Sequence, residues 1–147
     1  MLSGQIIASL KQTSAQVLLT HGTNGEYGHP AHRLMHAAAL IAVTSLGAAA
    51  PLLYSFSASY ANHPYPRLAN ADDPADVVVD VSGYLDKKVA AALCHKTQNA
   101  LFVRRRSEAA GRQLAVREVM LAEEAFRRQW PAQPARGDHF LEWVKAK

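Results

Sequence analysis

Apolar residues change their spacing several times along this chain, and each change marks an element. Ile6, Ile7 and Leu10 share one face at helical spacing, so residues 5–14 read as the end of a helix. Residues 16–21, Gln-Val-Leu-Leu-Thr-His, form a brief apolar run that predicts a short buried strand. Gly22, Thr23, Asn24 and Gly25 follow as a turn, because Asn-Gly tolerates the positive φ angles that tight turns need. Pro30 suits the first position of a helix, which the pattern carries to Leu46, with Gly47 as its stop. Residues 52–57 predict a second apolar strand, and residues 58–75, rich in Pro, Asn and Asp, a loop. Residues 76–81, Asp-Val-Val-Val-Asp-Val, predict a third strand. Ser82 is placed to cap the next helix, with Asp86 in its first turn and Leu85, Val89 and Leu93 along one face. A further helix is predicted over 107–130 through Leu114, Val119, Met120 and Phe126, closed by Pro131 and Pro134. A short last helix falls around 140–144.

Strands alternating with helices predict an α/β domain with a mostly parallel sheet. Such a sheet is covered on both faces and normally has several strands. Three are few, so a strand–helix unit is expected ahead of residue 1. Residues 1–130 read as the domain and 131–147 as a Pro-containing tail with a short helix.

Composition narrows the chemistry. Hydrophobic residues make up 49% of the 147, enough for a core. Cys94 is the single cysteine, which excludes an intramolecular disulfide and a Cys-rich zinc site, so a metal would have to use His, Asp or Glu. Cys94 itself reads as a small buried hydrophobe. Residues 34–66 carry no Asp, Glu, Lys or Arg, but Thr44, Ser45, Gly47 and Pro51 break the apolar stretch below the ~20 residues a membrane span needs. No basic segment followed by a long apolar run opens the chain, so no signal peptide is read and a cytoplasmic setting is expected. Net charge is +4, and from Lys87 onward 13 basic residues face 6 acidic ones. No aromatic residue interleaves with Arg104, Arg105 and Arg106, so this cluster reads as solvated helix faces and not as a nucleic-acid surface.

The informative segment is Thr20-His21-Gly22-Thr23-Asn24-Gly25-Glu26-Tyr27-Gly28-His29-Pro30-Ala31-His32. It lies beyond a predicted strand and opens a predicted helix, the crevice where open α/β sheets bind ligands. His29 and His32 are three apart at a helix N-terminus and can face one side. The positive end of the helix disfavours imidazolium there, and neutral imidazole is the form that binds zinc. Gly25 and Gly28 let the backbone approach a bound group. On these grounds the segment is either a metal site or a structural loop.

Gly-Glu-Tyr-Gly-His-Pro-x-His after Thr-His-Gly resembles a signature of the GlcNAc-PI de-N-acetylase (PIG-L/LmbE-like) family. Asp80-Val81-Ser82-Gly83-Tyr84-Leu85-Asp86-Lys87-Lys88, with Cys94-His95-Lys96-Thr97-Gln98 after it, is similar to that family's next block. The resemblance covers residues 5–98 well and the remainder loosely. It implies a Rossmann-like fold and zinc-dependent hydrolysis of the acetamide of N-acetylglucosamine-type conjugates. It also implies His32 as a zinc ligand, His29 as the group that protonates the leaving amine or stabilises charge, and Tyr27 as the hydroxyl that steadies the oxyanion. Asn24, Glu26, His63, Lys88 and His95 are the expected substrate-side residues, and a small glycoconjugate is the expected partner.

Two departures stand out. Family members often carry Asp between the Pro and the second His, where this chain has Ala31. The family's first signature, Ala-His-Pro-Asp-Asp-Glu, supplies two further ligands and the general base, and no such string occurs here; Asp72-Asp73-Pro74 is the nearest echo. The chain is therefore expected to be a truncated and by itself inactive deacetylase, with Glu26 the first substitute for the base and an exposed sheet edge open to self-association. The alternatives are a catalytically dead sugar-binding or interaction module and a basic nucleic-acid-binding domain. His36, one turn past His32, offers an alternative zinc pair, whereas His21 reads as a hydrogen-bonding residue and His139 carries no assignment.

Overall fold

The computed structural model of the chain describes residues 1–132 and 138–146. In order, its elements are α1 (Leu2–Thr13), β1 (Val17–Thr20), the single turn α2 (Gly25–Gly28), α3 (Pro30–Leu46), β2 (Leu52–Phe56), β3 (Ala58–Ser59), β4 (Asn70–Pro74) and β5 (Val77–Asp80). Then come α4 (Leu85–Cys94), α5 (Lys96–Ala110), α6 (Val116–Val119), β6 (Glu123–Trp130) and α7 (His139–Lys145). They form two compact units, one of residues 1–79 with 125–147 and one of residues 80–124.

The first unit holds the sheet, in the order β1-β2-β6-β5. β1 and β2 run parallel, with Val17 opposite Leu52 and Thr20 opposite Ser55, and α3 makes the crossover between them. This is the βαβ unit that the alternation predicts, and helices flank the sheet in a Rossmann-like manner. β6 enters antiparallel to β2, so the sheet is mixed. On one face Leu53 packs with Ala39 and Val43 of α3, joined by Ile6, Leu18, Leu40, Ala50 and Trp130. On the other, fully buried Tyr54 meets Phe140 of α7 at 4.5 Å between ring centroids. The Tyr54 hydroxyl donates to Asp138, which also takes Arg128 Nη1 at 2.5 Å and caps α7 through the amides of Phe140 and Leu141. None of the helices in the described residues is long and apolar enough to cross a membrane.

α3 begins at Pro30 and stops at Gly47 as its punctuation predicts, and α7 covers the expected last helix. Several expectations are corrected. Residues 107–130 are not one helix: α5 ends at Gly111, which is left-handed at φ 65°, and residues 123–130 are strand β6. Residues 58–75 are more than a loop, because β3 and β4 pair in parallel there. Ser82 does not cap α4; it opens a short 3-10 turn, its N–H held by Asp80 Oδ1 at 2.8 Å. β1 is not buried throughout, since Leu19 is exposed on this edge strand. Cys94 is exposed, not buried. Pro134 lies outside the described residues.

In the second unit, Lys88 Nζ bonds the Leu121 carbonyl at 2.7 Å and Glu124 at 2.6 Å. Arg117 pairs with Asp86, and Arg112 pairs with Glu118 at 2.8 Å. Arg104 lies on the surface of α5 one turn from Glu108, in keeping with a solvated helix face.

Candidate active site

The chain leaves β1 at Thr20 and must turn sharply to start α3 at Pro30. Glycine is required where it turns. A Cβ on Gly22 would lie 2.1 Å from Asn70 Cγ, and Gly25 sits at φ 62°. Glu26, a residue with a side chain, also adopts a left-handed backbone at φ 58°, ψ −87°. Such a conformation costs ~1–3 kcal/mol and persists only where the surroundings over-determine it. Here Asn70 Oδ1 accepts the Glu26 N–H at 2.9 Å, and Asn70 Nδ2 reaches Glu26 Oε1 at 3.3 Å and the carbonyls of Phe56 and Ser57 at 3.1 Å. The Gly22 N–H adds 3.2 Å to the same Oε1.

A second set of bonds fixes the turn from the side. Asp73, buried, accepts the Thr23 N–H at 2.8 Å and the Thr23 hydroxyl at 2.7 Å. Asn24 exchanges two bonds with Asp72, of 2.6 Å and 2.9 Å.

These restraints present four rings. Glu26 Oε2 lies 2.5 Å from His32 Nδ1 and 3.1 Å from His21 Nδ1. The His21 and His32 rings stack at 3.8 Å and 12°. His29 lies 4.5 Å from His32, and Tyr27 lies 5.8 Å from His29 and 5.7 Å from His32. The three residues to which the resemblance gives chemistry, Tyr27, His29 and His32, are thus gathered on one loop and helix start. His29 is also the N-cap of α3, its Nδ1 accepting the Ala31 N–H at 3.2 Å.

The remaining expected residues fare differently. Glu26 is at the centre of the cluster but is occupied by two imidazoles. Asn24 is committed to Asp72. His63 accepts the Tyr65 N–H at 2.9 Å within its own loop. Lys88 and His95 belong to the second unit, where Lys88 is bonded as described and His95 precedes α5. His36 does not form the pair with His32; it is buried and its Nδ1 bonds the His21 carbonyl at 3.0 Å. Sequence reasoning missed Asn70 and Asp73, which lie in the stretch read as loop.

His21, Glu26 and His32 place potential ligand atoms within 4.8 Å of one another. Two imidazoles and a carboxylate are donor types that catalytic zinc sites use, so the residues fit a zinc ion by chemistry. Their arrangement adds a restriction. An imidazole binds a metal in its own ring plane, and two rings stacked this closely share no in-plane point at bonding distance. As placed, one imidazole at a time would face an ion.

No protein-family profile matches the chain. Two curated proteins do. A 1D-myo-inositol 2-acetamido-2-deoxy-alpha-D-glucopyranoside deacetylase of Saccharomonospora viridis is 30% identical over 112 residues, covering 64% of this chain and 42% of that protein. The protein of the same name from Nocardioides sp. is 30% identical over 127 residues, covering 63% of this chain and 42% of its own length. The chain is therefore similar over nearly two thirds of its length to deacetylases of an acetamido sugar, and it spans less than half the length of these curated relatives.

Proposed function

We propose that this chain carries part of a zinc-dependent N-deacetylase acting on N-acetylglucosamine-type conjugates. The carrying observation is the gathering of Tyr27, His29 and His32 where a parallel strand meets a helix, in a chain similar to two deacetylases. His32 would hold the ion, which supplies Lewis acidity toward the amide carbonyl and an attacking water at neutral pH. Tyr27 would donate its hydroxyl where oxygen charge develops. His29 presents its free ring edge and, as imidazolium released from the Ala31 N–H, would pass a proton to the departing amine, or as the neutral ring would stabilise the charge developing there. The aspartate base that the resemblance implies has no counterpart in this segment, and Glu26 is engaged, so turnover by this chain is expected to be slow.

Acetate release from an N-acetylglucosaminyl-inositol conjugate, with and without zinc, tests the reading. Slow release that needs zinc and disappears in His32→Ala is expected. Release that survives that substitution, or needs no metal, overturns it. Sugar binding with no release at any zinc concentration points instead to a binding module.

A further inference from the structure

We propose that Glu26 is a positioning residue that holds His21 and His32 in one ring tautomer and leaves His29 in the other, so that one loop offers bare nitrogens and an N–H donor side by side. The argument starts from the carboxylate. Its Oε1 already accepts the Gly22 N–H and the Asn70 amide, and its side chain is 8% exposed. An ionised carboxylate is acceptor-only. The nitrogens facing Oε2, His32 Nδ1 at 2.5 Å and His21 Nδ1 at 3.1 Å, must then carry the protons. In the neutral ring the opposite nitrogen, Nε2, is bare and free to ligate.

His29 has the reverse assignment. Its Nδ1 accepts the Ala31 N–H, so the proton of its neutral ring sits on Nε2. Two adjacent imidazoles, 4.5 Å apart, therefore offer opposite chemistry: His32 an electron pair, His29 a hydrogen. A carboxylate behind a ligating histidine fixes its ring orientation and raises its basicity. His21 stacks on His32 and shares the same oxygen, so it limits rotation of the ligand ring. The grip of Asn70 on both the backbone and the side chain of Glu26 holds the carboxylate in register despite its left-handed backbone.

This inference rests on the reading of His32 as metal ligand for its purpose, though the tautomers can be measured without it. Long-range proton–nitrogen NMR spectra of the whole chain, recorded without metal at about pH 9 where histidine is neutral, report which nitrogen carries the proton. Protons on Nδ1 of His21 and His32 and on Nε2 of His29 are expected. A proton on Nε2 of His32 overturns the proposal without any variant being made. In Glu26→Gln the carbonyl oxygen is required where Gly22 and Asn70 donate, so the amide NH2 faces both rings and the protons of His21 and His32 should move to Nε2; an unchanged pair also overturns it. Zinc added to the unsubstituted chain should shift Nε2 of His32, and Glu26→Gln should weaken zinc binding by roughly 10–100-fold. A zinc shift on Nδ1 counts against the positioning role. No zinc shift at His32, with the tautomers as expected, defeats the metal reading and leaves the positioning role standing.

Discussion

Gly22 shows how much of this site is decided by single atoms. The space a methyl group would fill there is occupied by Asn70. Gly22→Ala should push Asn70 away from Glu26, and we expect a loss of about 2–4 kcal/mol in urea denaturation, combining overpacking with broken buried hydrogen bonds. A variant within 0.5 kcal/mol of the parent would show that the contact is slack. Tyr54 makes a separate prediction. Burial, with the bond to and the charge of Asp138, raises the Tyr54 phenol above its ordinary range. For Asp138, burial pushes the other way but is outweighed by the bonds from Tyr54, Leu141 N–H and Arg128, so its carboxyl is held below the usual value. A raised acid is stabilising in full below the unfolded value, about 10 for tyrosine, and the benefit is lost above it. The lowered carboxyl acts in full above about 4 and is lost as pH falls further. Thermal melts should therefore plateau between these limits, and Tyr54→Phe should flatten the alkaline decline; identical alkaline limbs would refute the assignment. At this scale the sequence showed the histidines, because their spacing and the flanking Pro and Gly are local. It hid Asn70 and Asp73, whose partners in the turn, Glu26 and Thr23, lie more than 40 residues away.

Among the elements, α3 was legible because its start and stop are written in single residues, Pro30 and Gly47. β6 was not. Its residues, Glu-Glu-Ala-Phe-Arg-Arg-Gln-Trp, include strong helix formers, and pairing with β2 on one side and β5 on the other overrides that preference. A lateral partner leaves little trace in the period of a short strand rich in charge. The start of α3 carries a prediction of its own. His29→Ala removes the cap and should cost ~1 kcal/mol, whereas His29→Asn restores a strong capping residue and should stay near parental stability. Both should lack acetate release. If the Asn variant retains it, His29 acts through the helix and not on the substrate.

For the molecule as a whole, β2 is well covered, while α3 still exposes Ile41. β2 is an interior strand with Leu53, Tyr54 and Ser55 fully buried, and Ala42 and Val43 of α3 are closed off as well. The helix-to-strand change at β6 is the reason: β6 lies beside β2 and closes the side that β1 does not. The expectation for β1 has a firmer basis, because β1 terminates the sheet order and Leu19 is 47% exposed. An edge strand with an apolar outward residue is a template for another strand. Sedimentation velocity should show association that grows with protein concentration and weakens in Leu19→Lys. A species of constant monomeric mass at every concentration would retire the idea.

The parallel ladder of β3 with β4 has a consequence for how this protein could diversify. Ala58 pairs with Asn70, and the Asn70 N–H donates to the Ser57 carbonyl at 2.8 Å, so the intervening stretch departs from and returns to fixed points. Changes of length between residues 60 and 65, ahead of the 66–68 turn that packs on residues 25–28, would be absorbed before they reach the carboxylate that orients the histidines. Surface connections of this kind tolerate insertion, and they commonly carry recognition. An engineer seeking a new sugar or aglycone preference would do best to lengthen, exchange or randomise that stretch, with Ser57 and Asn70 kept as the seams to which any graft is joined.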